Sequence, residues 1–372
     1  MSPATSARQA WSEARRVLCV RLDGMGDLLM TTPAIAALRR PGRHLTALVS
    51  RSGAAIARLV PDIDEILPFD APWTKPPPPR NTDSPRSDTP SRVLVDTLAE
   101  GRFDAAVIFT VYTQSPLPAA FLCHLAGVPL RLACCRENPY DLLTDWVPER
   151  EPAEIVRHEV KRQLDLVASV GASIDDERLR LRVPDRARAR VSCLLAEHGI
   201  PPRRWILMHP GATAASRRYP LDLFAEAATT LAERTDRTIL LAGAASDAPF
   251  VDEIRRRMRA PSLSFAGLLD LEELCALIET APLLVCNNSV PAHIAAATGT
   301  RVVDLYALTN PQHTPWRVPS RVLSHDVPCR GCLKSTCPEG HHACLRGVPP
   351  SRVADAAQDL LRETSSLVET AY

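Results

Sequence analysis

The chain has 372 residues, 45% of them hydrophobic and 23% charged, with a formal net charge of +1. That length holds two ordinary domains, and the composition is globular rather than fibrous or disordered. With arginines dispersed among acids, the charge balance excludes a global electrostatic case for nucleic acid binding. The opening stretch, MSPATSARQAWSEARR, lacks the apolar core of a secretory signal, and no apolar run is long enough to span a bilayer. Both features predict a cytoplasmic protein.

In chain order, VLCVRL at residues 17–22 predicts a short buried strand, and residues 28–38 carry apolar side chains at helical spacing. Between them lies DGMGD. Gly24 and Gly26 are expected to turn the backbone tightly, leaving Asp23 and Asp27 near the helix start. A carboxylate there can meet a reacting group, because ligands collect at the carboxyl ends of parallel strands. Asp27 can equally serve as a helix cap. LTALVS, IDEILPF and FDAAVIFT read as further strands between helical segments, the alternation of an α/β parallel sheet. Residues 71–91 interrupt it with four consecutive prolines among polar neighbours, which predicts an extended, mobile surface insertion. LPAAFLCHLAGVPL at 117–130 reads as a short core helix that could also touch lipid.

A polar, arginine-rich stretch over residues 175–204 marks the domain connection, with domains expected at 1–183 and 184–372. RARAR near Arg186 suits a solvated helix face. A second alternating series follows: WILMH, TILLAG, LLVCN and RVVDLY as strands; LDLFAEAATTLAER, FVDEIRRRM and LEELCALIET as helices. The last segment, SRVADAAQDLLRETSSL, is an amphipathic helix placed to pack back across the junction.

Three loops of this second half have the chemistry of a nucleotide site. In HPGATAASRRYP, Gly211 permits close backbone approach, Thr213 and Ser216 offer hydroxyls, and Arg217 and Arg218 are forked cationic donors suited to a diphosphate. The same loop could be a solvated turn. In GAASDAP, Asp247 can accept both hydroxyls of a ribose or cap a helix. In CNNSVPAHIAAATGT, Asn287, Asn288 and Ser289 sit at a strand end, and Pro291 suits the first turn of a helix. His293 is open to three readings: general acid, phosphate donor or satisfied core histidine. GMGD has the wrong spacing for a dinucleotide fingerprint, which argues against an oxidoreductase.

Of eleven cysteines, seven are scattered, among them Cys19, Cys123, Cys193 and Cys286, and read as small hydrophobes. Cys329, Cys332, Cys337 and Cys344 cluster in PCRGCLKSTCPEGHHACLRG, with His341 and His342 nearby. These ligand types suit a structural zinc, and a reduced loop staple is the competing reading.

RLDGMGDLLMTTPAIAALR, HPGATAASRRYPLDLFAEAATTL and NNSVPAHIAAATGTRVVDLYALTNP, in this order, resemble the family 9 glycosyltransferases, which include the ADP-heptose:lipopolysaccharide heptosyltransferases. The resemblance implies a GT-B fold: two facing Rossmann-like domains, the amino-terminal one for the acceptor and the carboxyl-terminal one for the donor. It implies an inverting transfer needing no catalytic metal, from a nucleotide-diphosphate sugar, ADP-heptose above all, to a glycan or lipopolysaccharide-core-type acceptor. It also implies transient contact with the inner membrane's cytoplasmic face. By the same resemblance Asp27 is the general base, Arg217 replaces a lysine facing the donor diphosphate, Thr213 lies beside the phosphates, Asp247 binds the ribose, and His293 is the motif histidine. Arg218, Asn288 and Ser289 complete the expected donor site. The family has an aspartate, a small residue and a glycine where this chain has Asn288, Ser289 and Val290. That departure motivates an alternative, a non-catalytic sugar-nucleotide-binding or scaffold protein with a drifted donor loop.

Overall fold

The computed structural model describes residues 3–74 and 90–369. It divides into two compact units, Met1–Arg180 and Leu181–Tyr372. The proline run of the expected insertion lies outside the described residues, and a helix, Pro90–Glu100, already includes its last two positions.

The first unit holds one six-stranded parallel sheet: β1 Arg16–Arg21, β2 His44–Val49, β3 Glu65–Pro68, β4 Ala105–Ile108, β5 Leu130–Cys135 and β6 Asp145–Pro148. Its order is β3-β2-β1-β4-β5-β6, so the winding reverses between β1 and β4, the crevice where α/β sheets collect ligands. Five of the six β1 residues are buried. A parallel strand covered on both faces demands such a continuous apolar run. Leu18, Val20, Leu48, Phe103, Ile108 and Leu122 share the core on one side.

The second unit repeats the plan with β7 Trp205–His209, β8 Thr238–Leu241, β9 Ser262–Ser264, β10 Leu284–Asn287, β11 Val302–Leu305 and β12 Ser320–Leu323. The order is β12-β11-β10-β7-β8-β9, all parallel, with the reversal between β7 and β10. The helix Pro350–Glu369 contributes Val353, Ala354, Ala357 and Leu360 to the same core as Phe224 and Leu231. Its buried face therefore belongs to the second unit itself. Two expectations about surfaces change. Arg186 and Arg188, on the helix Asp185–Glu197, pair with Glu272 and Glu279 of the helix Leu271–Thr280 rather than only facing water. Cys193 is exposed, whereas Cys19, Cys123 and Cys286 are buried; burial pushes the Cys19 and Cys123 thiols up to about 12.

Among the described residues no helix is long and apolar enough to cross a membrane. The helix Leu117–Leu125 buries Ala119, Ala120, Leu122 and Cys123 but exposes Phe121 and Leu125.

Candidate active site

In the first unit β1 ends at Arg21, the chain turns through Leu22, Asp23 and Gly24, and the helix Met25–Ala37 begins. The turn needs no left-handed residue: Gly24 is extended, with φ −91° and ψ 176°. A Cβ there would make only ordinary contact, 3.4 Å from Asp27 Oδ2. Glycine is thus not required at position 24 for backbone reasons.

Asp27 is the third residue of the helix, and its Oδ2 accepts the Gly24 N–H at 3.1 Å, a cap interaction. Its other oxygen, Oδ1, faces Arg21 Nη2 at 3.5 Å, and the side chain keeps 23% of its surface open. The carboxylate is therefore both a cap and accessible.

Arg21, which sequence reasoning passed over, organises the site. It is 1% exposed and pairs with Asp23 through Nε at 3.0 Å and with Glu159 through Nη1 at 2.9 Å. Glu159 opens the helix Glu159–Ala168, whose Gln163 amide also donates to it at 2.7 Å. Arg162 of that helix pairs with Glu149, and Arg157 holds Glu151 through two bonds of 2.6 and 2.9 Å. Burying so many charges is costly unless each is paired, and breaking one pair strands its partner. Burial is also the main reason the Asp23 carboxyl is pushed up to about 6, against the pull of Arg21. The only sequence signal for this was an arginine inside an apolar strand.

In the second unit the loop after β7 lies at the sheet's reversal. Asn287, fully buried at the end of β10, latches both ends of it: Nδ2 donates to Pro210 O at 2.6 Å, and Oδ1 accepts from Tyr219 N at 3.0 Å. Ser216 anchors the middle, donating through N to Ser335 O at 2.9 Å and through Oγ to Lys334 O at 2.6 Å. Thr213 stays exposed. Arg218 donates to Ala212 O at 2.8 Å and stacks over Phe250 at 4.8 Å, so much of its donor capacity is used within the protein.

Asp247 accepts the Ala244 N–H at 3.0 Å, again a cap interaction, and packs against two glycines. A Cβ on Gly211 would fall 2.3 Å from Asp247 Oδ2, and one on Gly243 would fall 2.8 Å from Asp247 Cβ. Ser289 reaches the same place, donating to Gly211 O at 3.3 Å. Gly211, Gly243, Asp247 and Ser289 thus converge. Val290 opens the helix Val290–Thr298 and is not among the residues with positive φ, so a β-branched side chain fits where the family has glycine. His293 is buried inside that helix. Asn288 is buried, with its side chain beside Tyr306.

A further acid, Asp304 on β11, was not foreseen. It is in register with Cys286 of β10, which is in register with His209 of β7, so the three form one buried row. Burial pushes the Asp304 carboxyl well above the usual range, opposed by the positive charge of Arg217. Burial likewise lowers His209, against the pull of Asp247.

The cysteine loop is tied by main-chain bonds to the loop after β7, at Ser216 as above, and to the loop after β11, from Gly331 N to Leu308 O at 2.7 Å and from Leu333 N to Thr309 O at 3.0 Å. Cys329 Sγ lies 3.9 Å from His341 Nε2. Among the described residues no three His, Cys, Asp or Glu side chains gather as a metal would require.

The model of glycosyltransferase family 9 (heptosyltransferase) matches residues 92–343. Lipopolysaccharide heptosyltransferase 1 of Pseudomonas aeruginosa is 25% identical over 331 residues, 87% of each chain. Lipooligosaccharide heptosyltransferase 2 of Campylobacter jejuni is 28% identical over 163 residues, 42% of this chain and 51% of that protein. The alignment thus spans about half the length of the Campylobacter relative. Among solved structures, a family 9 glycosyl transferase from Veillonella parvula superposes with a TM-score of 0.76 at 20% identity, covering 94% of this chain and 98% of that one. The E. coli ADP-heptose lps heptosyltransferase II superposes with a TM-score of 0.71 at 21% identity, covering 94% and 99%. At those identities the likeness establishes the fold, two Rossmann-like units of the GT-B class. With its motifs lying on two doubly wound sheets and the family model spanning most of its length, the chain belongs to glycosyltransferase family 9, the heptosyltransferases.

Proposed function

We propose that the protein is an inverting glycosyltransferase that moves heptose from ADP-heptose to a lipopolysaccharide-core-type acceptor, with Asp27 as the general base. The observation that carries this reading is the Asp27 carboxylate at the reversal of the first sheet, partly open and backed by a buried arginine. Asp27 draws the proton from the acceptor hydroxyl as that oxygen attacks the anomeric carbon. The bond from that carbon to the diphosphate oxygen breaks, and its electron pair leaves with the diphosphate. General-base help of this kind supplies about 10²–10⁴-fold. In the second unit Arg217 faces the diphosphate, with Thr213, Ser289 and the helix start after Asn288 beside it, and Asp247 accepts the ribose hydroxyls. Arg218 supports the loop from behind, and His293 steadies the helix that carries Asn288 and Ser289. The acceptor's lipid portion would bring the enzyme to the cytoplasmic face of the membrane.

The test is transfer from ADP-heptose to a panel of acceptors that includes heptose-deficient lipopolysaccharide, with and without a chelator. The Asp27→Asn protein should bind ADP like the wild type yet lose at least 100-fold in turnover. Near-normal turnover would remove Asp27 from the role. A non-catalytic sugar-nucleotide binder is the second reading, favoured by Asn288, which puts a neutral amide where the family motif has an acid. Tight ADP-heptose binding with no transfer across the whole panel would establish it.

A further inference from the structure

Around Arg21 three acids gather. Its single guanidinium meets Asp23 at 3.0 Å, Glu159 at 2.9 Å and Asp27 at 3.5 Å. A second cation, Arg162, reaches Glu159 at 3.8 Å but is also committed to Glu149. Three carboxylates thus meet on one buried guanidinium. The two aspartates differ in exposure: the Asp23 side chain is 8% open, that of Asp27 23%. Of the two aspartates, Asp23 therefore loses more solvation on ionising.

We propose that Asp23 is a positioning residue for the transfer step, sharing Arg21 with Asp27 so that the charge on Asp23 sets how readily Asp27 accepts a proton. This rests on the reading of Asp27 as base. The groups facing Asp23 are Arg21 of β1, Asp27 of the following helix, Glu159 of the helix Glu159–Ala168, and the side chain of Gln114 from the loop after β4. Ser50 fixes the turn by donating to the Asp23 carbonyl.

The sign follows from the geometry. With Asp23 ionised, Arg21 divides its field among three acids, and Asp27 is the stronger base. With Asp23 protonated, more of that field falls on Asp27 and holds it as carboxylate, which weakens it as a base. Asp23 sits at about 6, so turnover should fall as pH drops through that value. When Asp27 takes the acceptor's proton, the guanidinium keeps Asp23 and Glu159 as its partners.

Two measurements test this. In protein carrying ¹³C-labelled aspartate carboxyls, the resonance lost in Asp23→Asn should titrate near 6 in the wild type. It should move at least roughly half a pH unit lower in Asp27→Asn, since coupling between two acids is mutual. Titration near the ordinary value of about 4, or a midpoint unmoved in Asp27→Asn, overturns the sharing whatever the protein's activity. In transfer from ADP-heptose to heptose-deficient lipopolysaccharide, Asp23→Asn should lower kcat about tenfold at pH 8, leave the donor KM within about twofold, and lose the inflection near 6. An Asp23→Asn protein that keeps wild-type kcat and inflection also overturns it. An active Asp27→Asn protein instead overturns the base assignment, and the carboxyl titration still decides whether the two acids share Arg21.

Discussion

Asp304→Val should make the protein more stable. Asp304 is fully buried in β11, between Cys286 of β10 and Val322 of β12, and neither carboxyl oxygen has a hydrogen-bond partner among the described residues. A buried polar group left unsatisfied costs about 1–3 kcal/mol. Valine is close to aspartate in size and, being β-branched, suits a covered strand, so the exchange removes that cost with little repacking. The expected gain is about 1–3 kcal/mol. For a domain of this size that raises the melting temperature by roughly 2–10 °C. The pH dependence carries the sign. In the unfolded chain the acid ionises above about pH 4. In the folded chain burial keeps it protonated well beyond the usual range. Wild-type stability contributed by this group is therefore lost as pH rises from about 4 towards its folded value, and the valine protein escapes that loss. Thermal and urea melts at several pH values between about 4.5 and 8 measure both effects. A lower melting temperature for Asp304→Val at the upper end, or a gain that does not grow with pH, would refute the reasoning.

Two further predictions concern the second unit. Arg217→Ala should weaken ADP binding by about 10–100-fold and reduce its salt dependence, whereas Arg217→Lys should stay within about tenfold, because charge matters more than the fork at a diphosphate; calorimetry at low and high salt measures this, and unchanged affinity in Arg217→Ala would remove the residue from the site. Gly211→Ala places a Cβ 2.3 Å from Asp247 Oδ2, so the carboxylate must move; ADP affinity should drop about tenfold with an unchanged circular dichroism spectrum, and wild-type affinity would show that Asp247 does not contact the nucleoside.

Long apolar runs were readable because both faces of these sheets are covered. WILMH is β7 residue for residue, and LDLFAEAATTLAER covers nearly all of the helix Leu221–Thr235. Three of the four strands at the sheet margins were not; the fourth, β3, falls within IDEILPF. β6, β9 and β12 are three or four residues long and mostly half-exposed, so their side chains carry no continuous apolar signal. At the turn before Asp27 neither glycine uses the left-handed region: Gly24 is extended and Gly26 lies inside the helix.

What the sequence alone determined was the alternation of strand and helix, the placing of motifs at strand ends, and the family. Those are local properties, set by periodicity and by residue types a few positions apart. Only the tertiary structure decided which charges meet. Arg21 and Glu159 are 138 positions apart, and Asn287 reaches back 77 residues to Pro210. Such pairs form because folding brings distant segments together out of water, where an unpaired charge or amide is costly, and no spacing along the chain records that encounter.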